Sequence, residues 1–242
     1  MFYRECVTPE WFIEDAKLQW VNGSLLSAMD TLKLGVEKLR ATSESSSYSK
    51  TVGRGYLLLG KLSEVVGMPR SEVDKQYLNV QSACRSWEKG YFFLGKYHDS
   101  IILSMGPSAG DKGVEDPETP LDLDLVRSAI ANYLLALKHG ARYLFHSLPR
   151  VLTLWSMMHA RKETSTSQRI DNMIKLFQEE LPPFIWLSSL TQLKSLYINP
   201  NFANCNPLLA ILQSIVNAYP LQAIWRFMDF VHSDDRENKD FM

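Results

Sequence analysis

The chain has 242 residues, of which 45% are apolar and 22% charged, and its formal net charge is −1. This composition is typical of a folded protein with a sizeable core. A net charge this close to zero provides no overall field that would attract nucleic acid or an anionic membrane, so we expect neither as a direct partner.

The cysteines and the apolar segments indicate the cellular environment. Cys6, Cys84 and Cys205 form an odd, widely spaced set without a CxxC pair, which favours reduced thiols over a disulfide scaffold or a zinc module. No apolar run reaches the roughly 18 residues that a membrane span needs, and the first residues do not have the pattern of a secretory signal. We therefore expect a soluble intracellular protein.

The first part of the chain predicts helices joined by short turns. Pro9 suits the first position of a helix that runs to about Val21, and residues 22–23 (Asn-Gly) suit its left-handed exit. The next helix has apolar residues at i, i+4, i+7, i+11 and i+14, namely Leu25, Met29, Leu32, Val36 and Leu39. Residues 41–50 are rich in serine and predict a loop. A third helix is expected over residues 51–66.

The middle of the chain predicts three more helices. The sequence Ser-Glu-Val-Asp at 71–74 has the form of a capping box and predicts the start of a helix that leads to Cys84. After a break at residues 85–86, WEKGYFFLGKYHD begins a helix that ends near Met105. Residues 106–120 are rich in glycine, proline and acid and predict a mobile acidic insert. The sequence Thr-Pro-Leu-Asp at 119–122 then predicts the cap of a helix that closes at residues 138–140.

The remaining segments continue this pattern. A helix is expected from Gly140 to Met158, followed by a polar connection over residues 160–169 and by helices near 168–181, 184–198, 207–219 and 220–232. The charged residues 233–242 predict a frayed tail. Hairpins that recur at roughly 35 to 50 residues predict an all-α protein, an α-solenoid of TPR- or HEAT-like antiparallel helical hairpins.

Large aromatic residues lie on these helices at spacings that predict a packed core. We expect six of them to fill the grooves between hairpins, namely Trp87, Tyr91, Phe92, Trp155, Trp186 and Trp225.

Four segments, in order and with compatible spacing, carry a resemblance to a known family. They are FIEDAKLQWVNGSLLSAM (12–29), WEKGYFFLGKYHD (87–99), FHSLPRVLTLW (145–155) and YPLQAIW (219–225). Together they resemble the FAT region of the phosphatidylinositol-3-kinase-related protein kinases, and are most similar to the ATR-type DNA-damage checkpoint kinases. The resemblance implies that residues 1–242 are part of a FAT-type helical repeat region without a kinase domain. Because the chain ends soon after YPLQAIW, before any kinase motif, we expect it to be a fragment.

The resemblance also implies a function. The expected role is that of a non-catalytic scaffold in a nuclear serine/threonine kinase of the DNA-damage and replication checkpoint, where the region supports and regulates the kinase domain and assembly. The implied partners are the kinase domain and other helical repeats of the same parent chain, a checkpoint partner protein of the ATRIP type, and a second copy in a homodimer. The alternative is a free-standing TPR-like adaptor that binds other proteins.

The residues themselves predict no reactive centre. Residues 53–55 (Gly-Arg-Gly) do not extend to a phosphate-binding GxGxxG because position 58 is Leu, and the chain ends in Asp-Phe-Met where a metal-binding Asp-Phe-Gly would need glycine. His98 and Asp99 are adjacent and diverge on a helix, and His232 lies in the predicted tail near two aspartates. We expect no catalytic residue, no cofactor and no metal site, and thus no enzyme activity of this chain alone.

One stretch is electrostatically unusual, because residues 125–162 contain no acid. Four of its side chains are spaced at intervals of four, which predicts that they follow one helix edge: Lys138, Arg142, His146 and Arg150. One hypothesis is a basic ridge that docks an acidic partner helix or a nucleic-acid backbone. The alternative, which we favour, is that these cations face the acidic insert or a neighbouring repeat.

A second candidate is a modification site. Ser167 is followed by Gln168 in the polar connection predicted over residues 160–169. A Ser-Gln pair is the type of site that ATR-like kinases phosphorylate, so the resemblance makes Ser167 a candidate for autophosphorylation.

Overall fold

The computed structural model of the chain describes residues 9–42, 46–105, 122–161, 164–203 and 205–237. Regular structure in these ranges is entirely helical, with a 3₁₀ turn at Pro200–Phe202 and no strand. This confirms the all-α prediction. The helices are α1 (Pro9–Val21), α2 (Leu25–Thr42), α3 (Ser46–Val66), α4 (Arg70–Ala83), α5 (Glu88–Met105), α6 (Leu123–His139), α7 (Leu144–Ala160), α8 (Thr164–Glu180), α9 (Pro183–Leu187), α10 (Leu190–Ile198), α11 (Asn206–Ala218) and α12 (Pro220–Glu237).

The chain divides into two compact units, residues 1–94 and 95–242. In the first unit consecutive helices pack on one another, α1 on α2, α2 on α3 and α3 on α4. Four of the five predicted stripe residues of α2 face this core, with Leu32 fully buried and Met29, Val36 and Leu39 at most 4% exposed, whereas Leu25 is half-buried. The helical spacing of apolar residues therefore identified the buried face of α2.

Glycine ends two helices of this unit. Gly23 has a φ of 81°, and the Ser24 N–H donates to the Gln19 carbonyl oxygen over 2.8 Å. Gly67 has a φ of 76° and the same pattern, in which the Met68 N–H donates to the carbonyl oxygen of Ser63. Both are Schellman motifs, which reverse the chain within a few residues and allow the next helix to pack back on the last. The predicted exit at Gly23 is confirmed.

Glycine also permits close approach between helices. A Cβ atom on Gly60 of α3 would lie 2.7 Å from the ring of Tyr77 on α4. Tyr77 is fully buried, and its hydroxyl donates to Glu64, so the ring has little room to move. The tight contact between α3 and α4 therefore depends on the absence of a side chain at position 60.

Two predictions about the ends of these helices are wrong. The loop predicted over residues 41–50 is helical where it is described, because α2 runs to Thr42 and α3 already begins at Ser46; residues 43–45 lie outside the described residues. The Ser49 hydroxyl on this added turn donates to the Ala83 carbonyl oxygen, and this contact supports a helix that serine alone does not favour. The predicted capping box at residues 71–74 is absent, since α4 begins at Arg70 and Pro69 occupies the cap position.

In the second unit, α6 begins as predicted. The Asp122 side chain accepts hydrogen bonds from the backbone N–H groups of Asp124 and Leu125, both over 3.1 Å. α6 packs on α7 and α8, and α11 packs on α8 and α9. The largest fully buried side chains of this core include Tyr133, Trp155 and Trp186.

Several predicted bounds in this unit need correction. The helix expected from Gly140 begins only at Leu144, because residues 140–143 form the turn after α6. The polar connection expected over residues 160–169 is shorter, since α8 starts at Thr164. The helix expected over residues 184–198 breaks at Ser188 and Ser189 into α9 and α10. Helices α11 and α12 lie where they were expected.

The acidic insert predicted at residues 106–120 lies outside the described residues. The frayed tail predicted from residue 233 is wrong as far as Glu237, because α12 extends to that residue. Residues 238–242 lie outside the described part of the chain. No single described helix has the length and apolar character of a membrane span; α11 and residues 220–228 pass such a test only jointly, and they are bent by 118° at their junction.

The six aromatic residues predicted to be buried differ in their exposure. Phe92, Trp155 and Trp186 are buried as expected, with at most 5% of each residue exposed, whereas Trp87 and Tyr91 are half-buried. The prediction for Trp225 is wrong, since 72% of this residue is exposed. Spacing alone assigned Trp225 to a helix face but could not show whether another helix covers that face in this chain.

Candidate functional site

A buried ion pair connects three helices of the second unit. The Nε–H of Arg150 on α7 donates to both carboxylate oxygens of Asp99 on α5, each over 2.8 Å. The Tyr133 hydroxyl on α6 donates to Asp99 Oδ2 over 3.2 Å. The Asp99 side chain is only 7% exposed and that of Arg150 24%. Burial raises the pKa of Tyr133, and the Asp99 carboxylate raises it further, so the phenol stays protonated as a donor.

The predicted basic ridge does not follow a single helix edge. Lys138 lies at the end of α6, Arg142 in the following turn, and His146 and Arg150 on α7. Lys138 Nζ contacts Glu180 Oε2 over 2.9 Å, and Arg150 contacts Asp99. These two pairs favour the alternative that the cations face acids of neighbouring helices.

The other two members of the ridge lie on the surface beside an apolar ring. Arg142 and His146 are exposed, and Phe145 between them is 82% exposed. The Arg142 guanidinium lies 5.9 Å from the ring centroid of Tyr143. Partner docking at Arg142 and His146 stays a prediction.

Ser167 lies on α8 and not in a loop. It is 8% exposed, and its hydroxyl donates to the Met158 carbonyl oxygen over 3.2 Å. A kinase active site takes its substrate in an extended, accessible form, so phosphorylation of Ser167 would require the start of α8 to unfold locally. Autophosphorylation at this residue stays a prediction.

The residues considered for catalysis are not brought together. Gly53 and Gly55 lie inside α3, where backbone N–H groups are used by the helix and do not form a phosphate-binding loop. Asp99 is engaged by Arg150. His232 lies on α12, but its side chain is not among those that the structure describes. Asp240 lies beyond the described residues.

A polar cluster that sequence reasoning missed lies at the end of α7. The Asp171 carboxylate accepts a hydrogen bond from Trp155 Nε1–H over 2.7 Å, and the same oxygen lies 2.9 Å from His159 Nε2. His159 Nδ1 lies 3.1 Å from the Asn201 carbonyl oxygen. The Cys205 thiol completes the cluster, and one ligand atom from each of His159, Asp171 and Cys205 lies within 4.8 Å of the others.

Sequence spacing did not reveal this cluster. The residues are separated by 12 and 34 positions and lie on α7, on α8 and just before α11, so they match no motif of fixed spacing. The available signal was the pair Trp155 and His159 at i and i+4, which places two ring nitrogens on one face of a helix. The partner Asp171 could be identified only after α7 and α8 were packed together.

The His159–Asp171 contact predicts a pH dependence of stability. Burial lowers the pKa of His159, but the hydrogen bond to Asp171 and its negative charge raise it, and the net pKa is above the ordinary value. A raised pKa in the folded state adds stability below the unfolded pKa of about 6.5, and this stability is lost as the pH rises through the folded pKa. We expect His159→Gln to reduce the fall in unfolding free energy between about pH 6 and about pH 8.

Urea unfolding at several pH values measures this slope, with EDTA in each buffer because neutral imidazole binds trace metals. His146→Gln is the matched control, since it makes the same substitution at an exposed position outside this cluster. Equal slopes for wild type and His159→Gln would contradict the assignment of His159 as a titrating group.

The last helix presents an apolar stripe to the surface. Leu221, Ile224, Trp225 and Met228 follow the i, i+3, i+4, i+7 pattern, and between 41% and 72% of each residue is exposed. Ala223 on the same helix is fully buried. An amphipathic helix normally buries such a stripe, so this surface is suited to a protein contact.

Comparisons with known proteins agree with the sequence resemblance. The model of the FAT domain matches residues 3–153, and that of the HEAT repeats of ATR-like serine/threonine-protein kinases matches residues 169–241. The HEAT-repeat match, together with the helical hairpins, confirms the predicted α-solenoid class. These matched models describe helical regions and not a kinase domain.

Individual relatives point to the same group. Serine/threonine-protein kinase ATR of Arabidopsis thaliana is 27% identical over 243 residues, which covers 90% of this chain and 9% of the relative. ATR of Oryza sativa subsp. indica is 24% identical, and the match covers 84% of this chain and 8% of the relative. Serine/threonine-protein kinase MEC1 of Candida albicans is 24% identical, and the match covers 94% of this chain and 9% of the relative. The chain thus spans about a tenth of the length of these relatives.

The FAT model matches more than half of the chain, and the HEAT-repeat model matches much of the rest. Regular structure in the described residues is helical throughout, as both families require. The chain therefore belongs to the FAT domain family and corresponds to a segment of the ATR-like serine/threonine protein kinases.

Proposed function

We propose that this chain is a non-catalytic scaffold segment of an ATR-like checkpoint kinase, and that it supports and regulates the kinase domain of the same parent polypeptide. The observation that carries the proposal is the coverage: 84% to 94% of this chain matches, yet only 8% to 9% of each relative does. A segment of a much larger kinase explains both figures, whereas a free-standing TPR-like adaptor explains only the first.

The packing of the helices suits a scaffold that binds other protein surfaces. In the first unit each helix packs chiefly against its neighbours in sequence, so other helix faces remain available for docking. The buried Asp99–Arg150 pair holds α5, α6 and α7 in one arrangement. By this proposal the intact protein is a nuclear kinase of the DNA-damage and replication checkpoint, and its kinase domain, an ATRIP-type protein and a second copy are its partners.

We further propose that the stripe of Leu221, Ile224, Trp225 and Met228 on α12 docks the next helical repeat of the parent chain. HEAT-like repeats bury the apolar face of each helix against the following one, and the HEAT-repeat match includes α12. In the isolated chain the stripe remains exposed.

The test uses the chromosomal gene, with an affinity tag introduced so that its product can be purified. The first measurement is the size of the tagged polypeptide, which should be roughly ten times that of this chain and include a kinase domain. A product of about the 27.7 kDa of this chain would favour the adaptor instead.

The second measurement is kinase activity after replication stress. We expect the double variant Leu221→Glu/Trp225→Glu to lose most of the activation, because two charges would be buried in the docked interface. Gln222→Glu is the control, since it introduces one negative charge on the same helix at an exposed position beside the stripe. Normal activation of the stripe variant would overturn the docking assignment.

A further inference from the structure

The cluster at the end of α7 combines three different metal-binding groups. His159 offers an imidazole nitrogen, Asp171 a carboxylate oxygen and Cys205 a sulfur, and one such atom from each lies within 4.8 Å of the other two. Each residue is held by a different element, α7, α8 and the residue before α11. We propose that these three side chains form a binding site for one Zn²⁺ ion, a site that is independent of the scaffold function proposed above.

The nitrogen, oxygen and sulfur donors of this cluster favour Zn²⁺ over Ca²⁺ and Mg²⁺. Zn²⁺ accepts nitrogen, sulfur and oxygen ligands in a tetrahedral arrangement, whereas Ca²⁺ and Mg²⁺ require oxygen ligands throughout. Three protein ligands leave the fourth position for water or for a group from a partner. A path to solvent is available, because the side chains of His159 and Asp171 are 12% and 22% exposed.

The surroundings already hold two ligands in place. The Asn201 carbonyl oxygen accepts from His159 Nδ1–H, so Nε2 is the nitrogen that faces Asp171 and that a metal ion would bind after displacing its proton. The imidazole stacks on the Phe202 ring with 4.2 Å between centroids. Trp155 donates to the Asp171 carboxylate. A ring fixed by a backbone carbonyl and a carboxylate fixed by a donor are the usual second layer of a zinc site.

The geometry requires only small adjustments. Bond lengths of about 2.0 Å to nitrogen or oxygen and about 2.3 Å to sulfur place tetrahedral donors about 3.3 to 3.5 Å apart. The His159 and Asp171 atoms are now 2.9 Å apart and would separate slightly, and the Cys205 sulfur lies within the 4.8 Å that encloses all three donor atoms.

Metal binding must displace the proton of the Cys205 thiol. Burial raises the pKa of the Cys205 thiol to about 11, so the metal-free chain contains a neutral thiol at neutral pH. Binding replaces the thiol proton by Zn²⁺ and releases that proton to solvent, because a coordinating thiol is deprotonated by the ion. The bound ion would join α7, α8 and the start of α11, and it would stabilise the fold because the unfolded chain does not preserve the site.

The test titrates the tag-free 242-residue chain, treated with chelator and kept reduced, with Co²⁺ as a spectroscopic substitute for Zn²⁺. We expect one Co²⁺ per chain and a thiolate-to-cobalt charge-transfer band in the near ultraviolet, both displaced by Zn²⁺. Cys205→Ser and Asp171→Asn should lose the band. Cys84→Ser and Cys6→Ser are the matched controls and should keep it. A folded wild-type chain without the band, or a band that persists in Cys205→Ser, would overturn the proposal.

A second measurement needs no variant. Zn²⁺ should slow alkylation of Cys205 in the wild-type chain by about a hundredfold when its concentration is a hundred times the dissociation constant. Alkylation of Cys84 should not change. Equal effects of Zn²⁺ on both cysteines would show non-specific thiol binding and would contradict the site.

Discussion

Replacement of Arg150 by Met should lower the free energy of unfolding by about 3 to 5 kcal/mol. The substitution keeps most of the side-chain volume but leaves the carboxylate of Asp99, which is 7% exposed, without its cationic partner. A buried charge without a partner costs far more than the intact ion pair contributes, and this asymmetry makes the expected effect large. Urea unfolding followed by circular dichroism measures the difference.

Lys138→Met provides the matched control, because Lys138 was assigned to the same basic ridge. Its pair with Glu180 has both side chains more than 40% exposed, so water screens the interaction and the expected loss is at most about 1 kcal/mol. A double variant, Asp99→Asn with Arg150→Met, removes both charges but keeps an acceptor for the Tyr133 hydroxyl, and it should regain part of the lost stability. Similar losses for Arg150→Met and Lys138→Met would mean that burial of the Asp99 pair has no energetic consequence.

Truncation of Trp155 to Ala should cost about 3 to 5 kcal/mol, whereas truncation of Trp225 should change stability by no more than about 0.5 kcal/mol. Trp155 is fully buried, and its indole N–H donates to Asp171. Its removal leaves a cavity and takes a donor from a carboxylate. Trp225 is 72% exposed, so its truncation in the isolated chain removes little contact with protein.

The same unfolding measurement on both variants checks this prediction, and it also tests the structure. A large loss for Trp225→Ala would show that α12 packs its apolar stripe within the isolated chain. Comparable small losses for both variants would contradict the burial of Trp155 on α7.

Part of the fold could be predicted because local chemistry decides it. The Asn-Gly pair at residues 22–23 ends α1 in the left-handed conformation, and Asp122 caps α6 through its own side chain. Four of the five stripe residues of α2 are buried as their spacing predicted. These features depend on residues within one or two helical turns, and such residues are adjacent in the sequence.

Other predictions failed where distant contacts outweighed local preference. Serine-rich residues near position 46 were assigned to a loop, but they extend α3, and the Ser49 hydroxyl bonds to Ala83. Residues 164–169 were assigned to a connection, but they form the first turns of α8, and the Ser167 hydroxyl bonds to Met158. In both cases a hydrogen bond to another element offsets the weak helix propensity of serine and threonine.

The amino-acid sequence by itself determined that the chain is helical, where most of the helices lie, and to which family it belongs. The periodicity of apolar residues and the four family segments are properties of the linear chain. Tertiary structure alone decided which cations of the basic ridge pair with acids, that Trp155 is buried while Trp225 is exposed, and that His159, Asp171 and Cys205 meet. The physical reason is that burial and ion pairing depend on which helix faces contact each other, and those contacts join residues that lie far apart in the sequence.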